Sequence, residues 1–380
     1  MSDRPDNPSP ADLTQALHEL LASDASPQEF TRRLFEINVA QARASDPLLA
    51  ELMPTCAIPS SFDAAIIGVL RDAPADAATN ARLLEQLAVF NYVQPYEDGS
   101  YAYHDTVREM LLEQWQADNR REEYAQIKQR LAGYYFERGK QQHREEDYTA
   151  ALSSLNEALR LHDDIRFYRW RGIVYVELEQ SEEAIQDLDR VLAVYPDDGL
   201  AIGERGCAYY QLKQYAEALQ DLSQAIALPH DPERGMSEER HYALYYHWRG
   251  RAYYQAQAYA AARADFTQAI ALLPEDGDNY WGRGRVAYAQ QNYAAALADF
   301  TQAITLQPED GYNYYWRGRV QYDAQDYTAA LDDFAKAIEL QPEDGNNYRG
   351  RGRAHYAQQD YAAARADFTQ AIALRPEDGN

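Results

Sequence analysis

The sequence predicts a mainly α protein, a solenoid of stacked helix pairs over residues 127–380 behind a smaller helical region that carries one β-hairpin. Three observations predict it. Gly250, Gly284, Gly318 and Gly352 recur every 34 residues, and Pro274, Pro308, Pro342 and Pro376 keep the same beat, the signature of a repeat architecture. Each period carries two stretches with apolar residues at helical spacing. Upstream, residues 92–104 alternate around an Asp-Gly turn, the signal of a hairpin.

Residues 1–9 are polar and proline-rich and read as a disordered tail. A helical segment over 10–57 follows. Ser9-Pro10 offers a cap and first-turn proline for a helix to Ala22. Ser26-Pro27-Gln28-Glu29 does so again, as a capping box for Phe30 to Ala44, and Pro47 to Met53 is a short helical piece. Residues 58–126 form the next domain. Ser61 to Leu70 and Ala78 to Phe90 are amphipathic, the second with Leu83, Leu84, Leu87 and Phe90 on one face. Tyr92 to Tyr96 and Ser100 to His104 are the hairpin strands. A helix starts at Asp105, with Val107, Met110, Leu111 and Trp115 on its apolar side.

Seven units follow from Gly133 to Gly379. The third is longer, with a polar, turn-rich insertion near 229–243 that reads as a loop outside the stack. In the unit Asp278 to Gly311, one helix is expected from Asn279 to Gln290 and a second from Tyr293 to Leu306. Gln291-Asn292 breaks them, and Pro308 ends the second because its ring cannot continue the ladder. Ala296, Phe300, Ala303 and Leu306 recur as Ala330, Phe334, Ala337 and Leu340, small residues for close approach and large ones for filling. A helical glycine costs about 1 kcal/mol against alanine, so one recurring at the same place in every unit implies close helix contact there. The framework Tyr-x-x-x-Gly-x-x-x-Tyr, Tyr-x-x-Ala and Ala-x-x-Leu-x-Pro resembles the tetratricopeptide repeat (TPR). The resemblance covers about two-thirds of the chain and implies a right-handed superhelix of helix pairs.

A second regularity is internal. Arg171, Arg205, Arg249, Arg283, Arg317 and Arg351 precede the repeat glycine, and sixteen positions later stand Asp187, Asp221, Asp265, Asp299, Asp333 and Asp367; after Arg138 the place is held by Ser154. These read as Arg–Asp pairs between the two helices of a unit, architecture and not a binding site.

Residues 58–115, helices followed by a hairpin with Tyr103-His104-Asp105 and Val107-Arg108, resemble the winged-helix subdomain of STAND signal-transduction ATPases. That resemblance implies that His104 can contact the diphosphate of bound ADP. The chain has no Gly-x-x-x-x-Gly-Lys-Ser/Thr loop to cradle phosphate, so His104 is a nucleotide contact only if another domain supplies the rest. Alone, it reads as a structural histidine at a strand-to-helix corner. Both ends look clipped, which leaves two readings open: part of a longer protein, or end faces covered by partners, including self-association through an uncapped C-terminal repeat.

The chain has 36 basic and 61 acidic residues, a formal charge of −25, which argues against general affinity for nucleic acid or anionic membrane. Cys56 and Cys207 are the only cysteines and give no disulfide framework. No apolar run is long enough to span a bilayer. A cytoplasmic location is expected. The histidines show no metal-ligand spacing with the cysteines, the acids fall mostly in Pro-Glu-Asp-Gly turns, and no catalytic constellation, cofactor or metal site is expected.

The candidate site is a ladder on the first helix of the last four units. Arg251, Arg285, Arg319 and Arg353 follow the glycine; Tyr254, Tyr288, Tyr322 and Tyr356 stand three further on; His247, Trp281, Tyr315 and Arg349 lie four before the arginines. Those spacings share one helical face, which the TPR resemblance implies is the concave, peptide-binding one. A basic aromatic groove in an acidic chain suits an acidic or aromatic-containing segment of a protein or peptide. The competing reading pairs these arginines with Asp278, Asp323 or the turn acids. The expected function is a non-enzymatic sensor or scaffold in a STAND-like signalling assembly. Two alternatives stay open: a transcription regulator with a DNA-binding winged helix, and an accessory subunit of an ATPase. The first is disfavoured by five acids to one arginine over Glu97 to Trp115.

Overall fold

The computed structural model describes residues 10–117, 120–229 and 237–374. The tail 1–9, residues 230–236 of the insertion, and Pro376, Gly379 and Asn380 lie outside them; residues 238–243, expected in the insertion loop, are instead the first turns of a helix. Among the described residues the chain forms helices and one two-stranded sheet, in two compact units, Met1–Val174 and Tyr175–Asn380.

In the first unit, α1 (Pro10–Leu21), α2 (Pro27–Ser45) and α3 (Pro47–Thr55) precede α4 (Ala64–Leu70) and α5 (Ala77–Ala88). Ser26 caps α2 by accepting the Glu29 N–H at 3.3 Å. The other half of the expected capping box is not made, because the Glu29 carboxylate takes Arg33 Nε at 2.8 Å. Helix α4 starts at Ala64 under an Asp63 cap, later than the expected Ser61. Phe62 is drawn into the sheet instead, exchanging backbone hydrogen bonds with Tyr101 at 2.7 and 2.9 Å.

The hairpin pairs β1 (Val93–Pro95) with β2 (Tyr101–Tyr103), Val93 opposite Tyr103, around Gly99 at φ 81°. Helix α6 (Asp105–Ala117) follows directly. Tyr103 is fully buried between Phe35, Phe62 and Tyr92 and donates its hydroxyl to the Met53 carbonyl at 2.6 Å. Trp115 Nε1 donates to the Pro54 carbonyl at 3.1 Å, so β2 and α6 are both tied to α3. The first repeat pair, α7 (Arg121–Arg144) and α8 (Tyr148–Leu161), belongs to the same unit. Glu157 accepts from Ser60 N and Oγ at 3.0 and 2.8 Å, and Arg160 donates to the Ile58 carbonyl at 2.9 Å. Helix α9 (Ile165–Glu177) carries the boundary.

The second unit runs from α10 (Ser181–Val194) through α11 (Gly199–Gln211), α12 (Tyr215–Ala227), α13 (Glu238–Gln255), α14 (Tyr259–Leu272), α15 (Gly277–Ala289), α16 (Tyr293–Leu306), α17 (Gly311–Asp323), α18 (Tyr327–Leu340), α19 (Gly345–Ala357) and α20 (Tyr361–Leu374). Each helix packs on the next, the repeating pairs of a TPR solenoid. The aspartate of each described Pro-Glu-Asp-Gly turn is the N-cap of the following helix: Asp276, Asp310 and Asp344 accept the N–H of Asp278, Tyr312 and Asn346. These turn acids hold helix ends. Between paired helices one residue takes the left-handed conformation, Gln291 at φ 58° and its equivalents Gln257, Gln325 and Gln359 likewise, where the sequence placed the break.

The repeat glycines face the large residue sixteen positions on. A Cβ at Gly206 would meet Leu222 Cγ at 2.8 Å, and one at Gly284 would meet Phe300 at 3.1 Å. Phe266, Phe300 and Phe334 are at most 1% exposed. They fill the space that the glycines leave between the two helices of a pair.

Candidate functional site

Two sets of arginines leave the first helices of the second unit, two positions apart in sequence and opposite in character. The set before the glycine forms the expected ion pairs. Arg205, Arg249, Arg283, Arg317 and Arg351 each grip Asp221, Asp265, Asp299, Asp333 or Asp367 through Nε and Nη2, at 2.7 to 3.1 Å. The aspartates are at most 8% exposed. Hydrogen bonding to the carboxylate holds Arg249, Arg283, Arg317 and Arg351 above the usual guanidinium pKa. In the first repeat, Ser154 Oγ donates to Gln142 Oε1 at 2.7 Å. The sequence missed the third nitrogen: Nη1 of Arg205, Arg249 and Arg317 reaches back to Asp189, Ser223 and Thr301 at 2.7, 3.2 and 3.2 Å. One side chain thus joins three helices.

The set after the glycine has no carboxylate within 4.0 Å among the described residues, and its partners are π faces. Arg285 lies 4.5 Å over the Tyr254 ring, 4.7 Å over Trp281 and 5.0 Å over Trp316. Arg319 lies 5.2 Å over Tyr288, 5.8 Å over Tyr315 and 4.7 Å over Trp316. Arg353 is 4.9 Å over Tyr322, and Arg251 is 4.9 Å over Tyr210 and 4.6 Å over Trp248. Each guanidinium therefore rests on the tyrosine of the unit before, and arginine and ring alternate along the ladder. Such contacts are worth about 0.5–2 kcal/mol each without neutralising the charge. The acids that could have done so are engaged elsewhere: Asp278 accepts Gln307 Nε2 at 3.1 Å, and Asp323 accepts the Tyr288 hydroxyl.

Tyr288 is the junction. Its oxygen accepts from Arg319 Nη2 at 3.1 Å while its hydrogen goes to Asp323. Burial first, then the bond to Asp323, pushes its phenol up to about 12. Tyr288, Tyr315, Arg319, Tyr322, Arg349 and Arg353 converge on one cavity of about 270 Å³, with Asp323 also in its lining. Arg349 and Arg353 are exposed, and Arg349 donates to Asn346 Oδ1 at 2.7 Å.

The remaining predicted residues lie elsewhere. His247 is turned into the stack, with Nδ1 2.9 Å from Asn279 Oδ1 and its ring against Phe266. Burial holds its pKa below the ordinary imidazole value. Trp281 is half-buried beside Trp316. Tyr356 is 61% exposed against Tyr361. His104 is exposed at the corner between β2 and α6, where its carbonyl accepts from Val107 and Arg108. Sequence reasoning missed Trp248, Trp316 and Tyr210, and took Asp323 as a partner of the arginines where it accepts the Tyr288 hydroxyl. Tyr210 stands four after Gly206, the register of the other ladder tyrosines. The two tryptophans stand two before the repeat glycine, a place that Gly282 and Gly350 take in alternate units.

The tetratricopeptide repeat model matches residues 136–198, 170–232, 249–311, 282–345 and 315–379, more than half the chain, and this chain belongs to that family. The matches begin at residue 136 and lend no support to the winged-helix resemblance of residues 58–115. No curated protein matches the chain. Among solved structures it is similar to a tetratricopeptide repeat protein from Parabacteroides merdae, at 20% identity over 64% of this chain and 93% of that one, with a TM-score of 0.48. It is also similar to YrrB, described as a TPR protein with an unusual peptide-binding site, at 18% identity over 50% and 93%, TM-score 0.40. For MamA the figures are 16%, 46% and 95%, TM-score 0.40. No helix among the described residues is long and apolar enough to cross a membrane.

Proposed function

We propose that this protein is a non-enzymatic interaction module whose arginine–aromatic ladder receives an acidic, aromatic-containing segment of another protein. One observation carries the reading. Four guanidiniums follow one another along the first helices, resting on rings and without carboxylate partners, in a chain of formal charge −25. Arg285 and Arg319 share Trp316, so like charges are held near each other, a cost that an acidic ligand removes. Arginine, tyrosine and tryptophan are also the residues that dominate binding hot spots. The signalling assembly implied by the winged-helix resemblance is a further part of this proposal; what supports it is the hairpin that leads directly into α6, with His104 exposed at the corner.

A glutamate–tyrosine copolymer is a suitable probe. It should bind with an affinity that falls as salt rises, and the double reversal Arg285→Glu with Arg319→Glu should weaken binding by about tenfold or more. Unchanged binding would remove the ladder as the site. Marked loss of thermal stability in the unbound double variant would make these arginines architectural.

A further inference from the structure

The cavity beside Tyr288 is a partly open hollow that gathers more positive charge than a single step of the ladder. Along the ladder each step offers one guanidinium resting on one to three rings, whereas here Arg319, Arg349 and Arg353 meet a single volume of about 270 Å³. Against these three guanidiniums stands one carboxylate, Asp323, already holding the Tyr288 hydroxyl, which leaves an excess of two positive charges. The volume lies below the roughly 300–1,000 Å³ of sites that take whole small molecules and suits one side-chain head group. The walls are phenol rings. Tyr315 and Tyr322 make no hydrogen bond through their hydroxyls among the described residues, so both remain available as donors.

We propose that this cavity receives a phosphoryl dianion carried on a side chain of the segment that docks along the ladder, an inference that rests on the ladder being the docking face. A carboxylate brings one negative charge and two oxygens. A phosphoryl monoester brings about −1.5 to −2 at neutral pH and three acceptor oxygens, which matches both the excess charge and the number of guanidiniums. Arginine presents its donors as a planar fork suited to such oxygens. The ring walls favour an aromatic stem, so phosphotyrosine is the first side chain to try.

The test compares a short synthetic glutamate–tyrosine peptide with the same peptide phosphorylated on one tyrosine, by calorimetry on the full chain, with inorganic phosphate as competitor. The phosphorylated peptide should bind about tenfold tighter or more, and phosphate should erode that advantage. Arg349→Gln with Arg353→Gln should abolish the advantage while lowering the thermal midpoint only slightly, since both side chains are exposed, neither belongs to an Arg–Asp pair, and only the Arg353 stacking on Tyr322 and the Arg349 bond to Asn346 are lost. Asp323→Asn should widen it, a gain that a misfolded variant cannot produce. Equal affinity for the two peptides, or an advantage that survives Arg349→Gln/Arg353→Gln, overturns the cavity's role. If the plain peptide still binds and is lost in Arg285→Glu/Arg319→Glu, the docking face stands without this subsite. If neither peptide binds, both readings fall.

Discussion

Arg317→Ala is expected to cost about 2–3 kcal/mol of stability and to loosen α17 against both its neighbours. The substitution leaves Asp333, 6% exposed, without its two donors from Nε and Nη2 at 2.8 and 2.7 Å. Stranding one partner of a buried ion pair costs about 3–5 kcal/mol; Arg317 is 21% exposed, so solvent offsets part of that. The link from Nη1 to Thr301 in the preceding pair is lost as well. A denaturant titration gives the magnitude, and hydrogen exchange gives the place, because repeat arrays need not unfold in one step. Asp333→Ala added to Arg317→Ala should recover part of the loss, and the double-mutant cycle isolates the pair. Arg319→Ala, two positions away on the same helix, should cost less, about 1 kcal/mol, since it loses stacking on rings and one hydrogen bond to the Tyr288 hydroxyl but strands no buried carboxylate. Equal effects at the two arginines would sink the division of labour between them.

That division was legible in the sequence on one side only. The Arg–Asp pairs lie inside one unit, where the sixteen-residue offset reappears intact, and the structure returns those from Arg205 to Arg351. The turn aspartates and the helix break at Gln291 are equally local, set by backbone groups that lack partners at helix ends. What the period could not give is contact between units. Whether Arg285 meets Asp278 or the rings of Tyr254 and Trp316 depends on how far one pair is rotated on the next, and no spacing within a unit encodes that rotation. The buried Asn279, 0% exposed, was invisible for the same reason: its partners are Asp276 and His247, the latter in the pair before. Phe62 shows the point in the first unit. Local pattern put it in a helix, and pairing with the distant Tyr101 put it beside the sheet. The ladder residues share a register, as their spacing required. The cavity that six of them form, and the bond that turns its one carboxylate, Asp323, to Tyr288, depend on contacts between units.

Gly203→Ala is the sharpest test of the packing between pairs. In isolation the change favours the helix, since alanine is better than glycine there by about 1 kcal/mol. Here the new Cβ would lie 2.1 Å from Tyr245 Cζ and 2.3 Å from its hydroxyl oxygen. Tyr245 is 0% exposed, on α13, and its ring has no solvent to move into. Forcing a methyl group into a filled core costs about 1–3 kcal/mol and more where nothing can give, so the clash outweighs the propensity gain and the net effect is destabilising by about 2 kcal/mol. Gly133 on α7 supplies the control, for a Cβ there meets nothing within 4 Å, and Gly133→Ala should raise stability by up to about 1 kcal/mol. Opposite signs at two helical glycines would separate the glycine that makes room from the one that does not. If Gly203→Ala were neutral or stabilising in denaturant titration, α11 and α13 could not approach as closely as the structure has them.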